Sequence, residues 1–338
     1  MHSHHSHSGQ FCAHAKDDLL DVLEHAYQLG FPPFNVTEHC PRALEEHLYP
    51  EEREAGLKPA DLEKRFVQYL AHARSLQEVF KTRSMHVLVG CESENLNSPQ
   101  DSNQDSLAYL QDQLERLSIR RGKQKEQDAA EIGLNVVDYI VGSTHHVRGI
   151  PIDFDIPTFE SALKLFEDEE NDAREAGHQA EDSSSSAHAR LTLEYLDRQY
   201  ELMQRLRPEV IGHFDLFRLY RPSFRIRSTE ANTTAKDDLT AQIWSRIERN
   251  VRYACAYGAL FEANSASFRK GWETAYPGAE ILALILQLKG RVCLSDDSHG
   301  KAYVALNYRR LREYLLNAGV QELWYLERAA GNQVLLPN

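Results

Sequence analysis

The apolar positions of the chain form one early helical pattern and several short strand-like runs. Leu19, Val22, Leu23 and Ala26 recur at helical spacing and are followed by a glycine, which predicts a first helix and its C-terminal cap. A further strand is possible at residues 323–326, but we place it outside the site described below. The main strand-like runs occupy residues 34–36, 86–91, 139–143, 210–212, 259–261 and 292–294.

Metal-ligating or acidic side chains follow each of these main runs. The groups begin at His39, Glu92, His145, His213, Glu262 and Asp297, and His5-Ser6-His7 near the start forms a further group. Every gap between successive groups can hold a strand, a helix and two connections, so the pattern predicts parallel βα units. In a barrel of such units the carboxyl ends of the strands meet on one face. The sequence therefore predicts an α/β fold with its site at that face.

The length allows either two domains or one large barrel with insertions. We expect a single barrel domain over residues 1–330, with polar surface insertions near 93–132 and 167–189. The first insertion contains a basic run at 120–125, and such a short run in an acidic chain is more often a solvated helix face than a nucleic-acid contact.

Composition and charge exclude several classes of protein. Hydrophobic residues make up 42% and charged residues 26% of the chain, as in ordinary globular proteins. The net charge of −13 opposes binding to nucleic acid or to an anionic membrane surface. The longest apolar run, residues 281–286, is too short to cross a membrane. Five cysteines without a CxxC pair, in a chain without an apolar signal segment, favour the cytoplasm.

Two pairs of ligand-type residues have the spacing of a chelate. His5 with His7, and Asp297 with His299, are two residues apart, so in an extended chain each pair shares one face. Imidazole together with carboxylate suits zinc, iron or manganese better than calcium. His2 and His4 share the same spacing, so spacing alone does not select the pair, and a His-rich terminus also resembles an expression tag.

Cysteine thiolates bind zinc as well, and two of the cysteines directly follow or precede predicted ligands. Cys40 and Cys91 directly adjoin His39 and Glu92, and on an extended chain they point the opposite way, into packing. The role of Cys12 stays open. The sequence contains no GxSxG, GxxxxGK[ST] or strand-linked GxGxxG motif, so a metal-activated water is the simplest nucleophile, and Glu92 could bridge two ions.

These motifs together resemble the polymerase-and-histidinol-phosphatase (PHP) metallohydrolase family, and within it the histidinol-phosphatase branch. The resemblance runs from Met1 to about Leu326 and leaves the two insertions unmatched. It implies a distorted (β/α)7 barrel that holds up to three divalent ions of zinc, iron or manganese. The motifs are HxHS at 5–8, His14, TEH at 37–39, GCE at 90–92, GSTHH at 142–146, GHFD at 212–215, FEANSASFRK at 261–270 and DSHG at 297–300.

The resemblance also implies a division of the ligands among three ions. His5, His7, Glu92 and Asp297 would hold one ion, Glu92 would bridge to a second held by His145 and His213, and His14, His39 and His299 would hold the third. Glu38 stands where the motif more often has Asp, and Asp296 where it often has Ser, so the chain departs from the motif next to the ligands and not at them.

The implied reaction is hydrolysis of L-histidinol phosphate to L-histidinol and phosphate, in histidine biosynthesis. Glu92, Asp297 and His146 are the predicted catalytic residues. Arg269, Arg42 and Arg148 are candidates for binding the phosphate, although each arginine would serve a structural ion pair equally well. We expect a small phosphate ester as partner, without nucleic acid or membrane, and the oligomeric state stays open. The alternatives are a PHP phosphoesterase for another small ester or for nucleic acid, and a metal-binding scaffold without catalysis.

Overall fold

A computed structural model describes residues 1–96, 105–126, 136–175, 183–227, 239–328 and 334–335. Its strands are β1 (Ser6–His7), β2 (Val36–His39), β3 (Val89–Glu94), β4 (Ile140–Ser143), β5 (His146–Val147), β6 (Ile150–Pro151), β7 (Val210–Ile211), β8 (Leu260–Asn264), β9 (Arg291–Ser295), β10 (Ser298–His299), β11 (Glu327–Arg328) and β12 (Val334–Leu335). Its α-helices are α1 (Leu19–Gln28), α2 (Pro50–Glu54), α3 (Pro59–Lys81), α4 (Ser106–Glu126), α5 (Ile156–Glu175), α6 (Ser183–Leu206), α7 (Leu239–Tyr257), α8 (Ala266–Arg269), α9 (Ala279–Gln287) and α10 (Tyr308–Asn317).

The central sheet is parallel and curls into a barrel. Six strands follow the order β2-β3-β4-β7-β8-β9, and each pairs with its neighbours in parallel. On one side β1 pairs in parallel with β10, which continues β9, and on the other side a parallel bridge joins Ser3 to Phe34 just before β2. The short strand β1 therefore closes the barrel between β9 and β2. The predicted α/β barrel is confirmed, and its irregular closure around β1 is the distortion.

Helices connect the strands and cover the barrel. The predicted first helix is α1, and Leu19, Val22, Leu23 and Ala26 are its buried residues. Glycines let neighbouring strand ends approach closely: a Cβ atom on Gly212 would lie 2.2 Å from the Oγ of Ser143. None of the described helices combines the length and apolar content that a membrane span requires.

Residues 323–326 do not form the further strand that the sequence made possible. The side chain of Leu326 joins a buried cluster with Leu88, Tyr139 and Val210, residues of or beside the barrel strands. The backbone amide of Trp324 donates to the carbonyl of Val292 at 2.8 Å. Residues 323–326 therefore pack onto the strands as an irregular segment, and the backbone amides of Trp324 and Leu326 are hydrogen-bonded although the segment does not join the sheet.

The two predicted insertions are only partly described. The first includes helix α4, on which the backbone of the basic run 120–125 lies, whereas 97–104 and 127–135 are outside the described residues. The second spans the end of α5 and the start of α6, and 176–182 are outside the described residues. The single domain over 1–330 and the surface role of these insertions stay predictions.

Candidate active site

The barrel brings the predicted ligands together at the carboxyl ends of its strands. A cavity of about 250 Å³ opens at this face. His5 and His7 are fully buried and contact two of the lining residues, Glu92 and Asp297. Predicted ligands that line the cavity are His14, His39, Glu92, His145, His213, Asp297 and His299.

Glu92 on β3 lies at the centre of five imidazole rings. Its Oε1 is 3.2 Å from Nε2 of His5 and 3.3 Å from Nε2 of both His145 and His213. Its Oε2 is 3.0 Å from Nδ1 of His39 and 3.3 Å from Nε2 of His7. Burial by itself raises the pKa of Glu92, but the surrounding imidazoles reverse this effect and hold it well below its usual range. The carboxylate is therefore an anion that faces several nitrogen donors at once.

The first group of ligands consists of His5, His7, Glu92 and Asp297. The Nε2 atoms of His5 and His7 are 3.1 Å apart, and Oδ1 of Asp297 is 3.6 Å from each of them. The spacing of two residues on β1 places both rings on one side, as predicted. Asp297 has a φ of 46°, in the left-handed region that a side chain other than glycine rarely adopts. Such a backbone conformation at a carboxylate in the site is typical of functional positions.

Carboxylates behind the two rings fix their orientation. Nδ1 of His5 is 3.1 Å from Glu262 on β8, and Nδ1 of His7 is 3.5 Å from Glu38 on β2. Burial lowers the pKa of His7 by itself, but Glu38 and Glu92 outweigh it and raise the pKa to about 9. A carboxylate on the outer nitrogen of an imidazole is the usual support for a metal-ligating histidine.

The second group consists of Glu92, His145 and His213. The Nε2 atoms of the two histidines are 3.1 Å apart, and both face the same oxygen of Glu92. The backbone amide of His213 donates to Glu262, which thus supports both groups.

The third group includes His14, His39 and His299, and Cys12 lies with them. Burial lowers the pKa of His39 to about 3, so this imidazole is neutral and able to act as a ligand. Cys40 and Cys91 are buried, as expected for packing residues. The arrangement leaves Cys12 as the thiol whose role needs an explanation.

The donor set fits divalent metal ions. Nε2 of His39 is buried and has no hydrogen-bond partner among the described residues, and Oε2 of Glu92 lies at ion-pair distance from two imidazole nitrogens without forming a well-aligned hydrogen bond. A buried polar atom without a partner is costly, and a cation would satisfy these electron pairs. Within the described residues, groups of three or more ligand atoms lie within 4.8 Å of one another in all three predicted positions.

His2 and His4 bond to backbone amides and do not line the cavity. Nε2 of His2 accepts from the amide of Leu294 at 2.8 Å, and Nε2 of His4 accepts from the amide of Leu326 at 2.9 Å. This arrangement leaves His5 and His7 as the pair at the site. It also argues against a tag, because these residues are buried and bonded within the fold.

Only one of the three predicted arginines lines the cavity. Arg269 does so, with its guanidinium 4.4 Å from the ring centre of Tyr303. Arg42 is buried in an ion pair with Glu52, and Arg148 pairs with Glu194 at 2.9 Å and with Glu169. These carboxylates engage both guanidinium groups, and that of Arg42 also lies 4.7 Å from the ring centre of Tyr49, which lines the cavity. A role of Arg42 or Arg148 in phosphate binding stays a prediction.

His146, the third predicted catalytic residue, is buried next to the site. Its Nδ1 is paired with Glu94, and its ring centre is 5.4 Å from that of Tyr49. Tyr49, rather than His146, lines the cavity. The catalytic role of His146 stays a prediction.

Several residues of the site were missed or left without a role. Glu94 lies two residues after Glu92 on β3, and the strand period of two was a signal for it. The sequence predicts Glu262 at the end of a strand but gives it no role. In the structure its carboxylate contacts Nδ1 of the predicted ligand His5. Lys16, Lys270 and Asp153 line the cavity from loops, where no periodic pattern marks them.

Comparisons with known proteins agree with this architecture. The model of the PHP domain family matches residues 3–266. The chain is 37% identical over 337 residues to a Schizosaccharomyces pombe protein named "Probable histidinol-phosphatase", with 99% of this chain and 93% of the relative covered. It is 28% identical over 356 residues to the Saccharomyces cerevisiae histidinol-phosphatase, with 99% and 94% covered.

Two solved bacterial structures share the fold. The crystal structure of hisK from Listeria monocytogenes has a TM-score of 0.65 at 17% identity, and the match covers 91% of this chain and 99% of that one. A histidinol phosphate phosphatase from Lactococcus lactis, complexed with zinc, L-histidinol and phosphate, has a TM-score of 0.53 at 16% identity and covers 98% of both chains. The family match over most of the chain and the full-length relative lead to one conclusion: this chain belongs to the PHP domain family.

Proposed function

We propose that this protein hydrolyses L-histidinol phosphate to L-histidinol and phosphate, with divalent metal ions held at the carboxyl end of the barrel. The observation that carries the proposal is the single carboxylate of Glu92, which faces five imidazoles inside a cavity with cations at its rim. The yeast relatives named histidinol-phosphatase support this substrate, because they match nearly the whole chain. The reaction belongs to histidine biosynthesis.

The ligand set accommodates up to three ions of zinc, iron or manganese. We assign the first ion to His5, His7, Glu92 and Asp297, and the second to Glu92, His145 and His213. The third ion belongs with His14, His39 and His299. When bound, such ions lower the pKa of a coordinated water toward neutrality and offset the negative charge of phosphate oxygens.

The rim of the cavity supplies positive charge for the phosphate. Arg269, Lys16 and Lys270 line it, and the guanidinium of Arg269 has the planar donors that suit phosphate oxygens. The ring of Tyr303 against this guanidinium restricts its orientation. These three cations bind and orient the ester, and they do so in a chain whose net charge is −13. A local cation cluster therefore replaces the broad positive surface that nucleic-acid enzymes use.

Asp153 provides a place for the amino group of the substrate. Its carboxylate lines the same cavity, and its Oδ1 is buried without a hydrogen-bond partner among the described residues. A protonated primary amine would satisfy that oxygen with a charge-assisted hydrogen bond. Tyr49, Phe154 and Leu216 line the cavity with apolar surface suited to an imidazole ring.

A cytoplasmic location belongs to the same proposal. The five cysteines are free thiols, which is consistent with a reducing compartment.

Phosphate release from a panel of esters tests the proposed activity. The panel contains L-histidinol phosphate, a matched ester without the amino group, a nucleoside monophosphate and a single-stranded oligonucleotide. We expect kcat/KM for L-histidinol phosphate to exceed that of every other member at least about 100-fold, equivalent to about 2.7 kcal/mol of transition-state binding. Equal rates across the small esters would favour a general phosphatase. Preferential cleavage of the oligonucleotide would favour a nuclease and would contradict the proposal.

A further inference from the structure

The third ligand group contains a fourth donor that the family resemblance does not supply. Cys12, His14, His39 and His299 each offer one atom, and these atoms all lie within 4.8 Å of one another. The Sγ of Cys12 is 3.2 Å from Nε2 of His14. Two ligands of a tetrahedral zinc ion, at about 2.3 Å for sulfur and about 2.0–2.1 Å for nitrogen, would be about 3.6 Å apart. The two atoms are therefore near the separation that a shared ion requires.

The three imidazoles of this group are already oriented for a ligand on Nε2. Nδ1 of His14 is 2.8 Å from Glu51, Nδ1 of His39 is 3.0 Å from Glu92, and Nδ1 of His299 is 3.0 Å from the carbonyl of Asp297. Each ring thus has its outer nitrogen next to an oxygen acceptor, which is the arrangement that positions metal-ligating histidines, and Nε2 of His14 faces Sγ of Cys12. The free Nε2 of His39 is buried and has no partner among the described residues.

The loop that carries Cys12 is fixed to the barrel. The amide of Cys12 donates to the carbonyl of Ser8 at 2.9 Å, and the amide of Lys16 donates to the carbonyl of His299 at 3.0 Å. The side chain of Cys12 is buried, with 5% of the residue exposed. Its position next to His14 and His299 is therefore set by backbone bonds on both sides of the loop.

We propose that the thiolate of Cys12 is the fourth ligand of the third ion and completes a tetrahedral site with one sulfur and three nitrogen donors. On binding, the S–H proton passes to solvent and the sulfur donates its electron pair to the ion, without any change of oxidation state. A sulfur donor favours zinc over manganese. Four protein ligands also close the site, which is typical of a structural zinc rather than a catalytic one. Catalysis would then belong to the ions on Glu92.

A second grouping of Cys12 with His7 and Glu38 is less suitable for an ion. Glu38 Oε1 already accepts from the amide and the hydroxyl of Ser8 at 2.9 and 2.7 Å. His7 already directs Nε2 toward Glu92 and Asp297. An ion in this second position would bind Nδ1 of His7 and Oε2 of Glu38 and would replace the 3.5 Å contact between them, which orients His7 toward the first group. The group with His14, His39 and His299 requires no such change, because Nε2 of His39 is buried without a partner among the described residues.

This inference rests on the metal binding proposed above, and cobalt provides a readout that is independent of activity. Metal-free full-length protein is titrated with Co²⁺, and near-ultraviolet absorption is followed for the sulfur-to-cobalt charge-transfer band. We expect the band in wild type and in Cys255→Ser, a control thiol on α7. Cys12→Ser should lack the band and bind one equivalent of Co²⁺ at least about tenfold more weakly. A band that survives in folded Cys12→Ser would overturn the proposal.

X-ray absorption of the zinc-loaded wild type decides the question even if Cys12→Ser does not fold. A sulfur scatterer at about 2.3 Å from zinc is expected, and a spectrum with only nitrogen and oxygen neighbours at full occupancy would overturn the proposal. Phosphate release measured on the same sample separates this inference from the proposed function. Active protein without zinc–sulfur contact would contradict only the role of Cys12, whereas inactive protein with that contact would support the ligand and contradict the phosphatase.

Discussion

The substitution Glu92→Gln tests the centre of the site, because it preserves the size of the side chain and removes its charge. In the wild type, five imidazole nitrogens lie 3.0–3.3 Å from the two oxygens of this carboxylate. An amide is a poor bridge between two cations, since it offers one neutral oxygen in place of a shared negative charge. The first two ions should therefore loosen together.

The size of the effect follows from the number of charged contacts that are lost. A contact with a charged group is worth about 1.5–3 kcal/mol, so two ions that each lose one would forfeit about 3–6 kcal/mol. At about 1.36 kcal/mol for each factor of ten, this corresponds to about 10²–10⁴-fold in kcat/KM. The third ion does not use Glu92 as a ligand and should be retained.

The assay combines turnover of L-histidinol phosphate with elemental analysis of the purified protein. Glu209→Gln is the matched control. Glu209 lies just before β7 and does not line the cavity, and its carboxylate accepts a hydrogen bond from the backbone amide of Ile140 on β4. This control should keep its metal content and its activity. Glu92→Gln with full metal content and near wild-type turnover would refute the bridging role of this carboxylate.

Three further predictions concern the phosphate, the amine and the metal. Arg269→Ala should lower kcat/KM with an unchanged Tm, and the expected loss of transition-state stabilisation is about 1.5–3 kcal/mol. Unchanged kinetics would remove Arg269 from the phosphate site. Asp153→Asn should raise KM for L-histidinol phosphate about tenfold or more and leave an ester without the amino group unaffected, whereas equal effects on both esters would argue against amine recognition. Removal of metal by a chelator should abolish phosphate release, and zinc or manganese should restore it; full activity in verified metal-free protein would refute the mechanism.

The strand ends could be predicted because two simple periodicities determine them. Parallel βα units bring their carboxyl ends to one face, and alternation along a strand puts His5 and His7 on the same side. The same alternation places Glu94, two residues beyond Glu92, on the same side of β3. The resemblance to the PHP family implies a division into three ligand groups, which stays a prediction, although the structure brings these residues close together.

Residues on loops and in long-range ion pairs were beyond the reach of the sequence. Asp153 follows the β5–β6 hairpin, and nothing in its neighbours indicates that it lines the cavity. Arg42 and Arg148 have the right chemistry for phosphate, but in the structure Arg42 pairs with Glu52 and Arg148 pairs with Glu194. Which carboxylate pairs with an arginine depends on how the barrel closes, and the local sequence pattern does not predict it.

The pairing of β1 with β10 gives metal supply a consequence beyond catalysis. These two strands come from opposite ends of the described barrel, and His7 is in register with His299. The first ion proposed above would join β1 to Asp297, immediately before β10, and would thus link the first and last strands of the barrel. Any ion that binds only the closed barrel stabilises it, by about 2.7 kcal/mol when its free concentration is 100 times Kd. In a cell short of the bound metal, the expected result is therefore loss of the protein itself through proteolysis, before any accumulation of an intact but inactive enzyme.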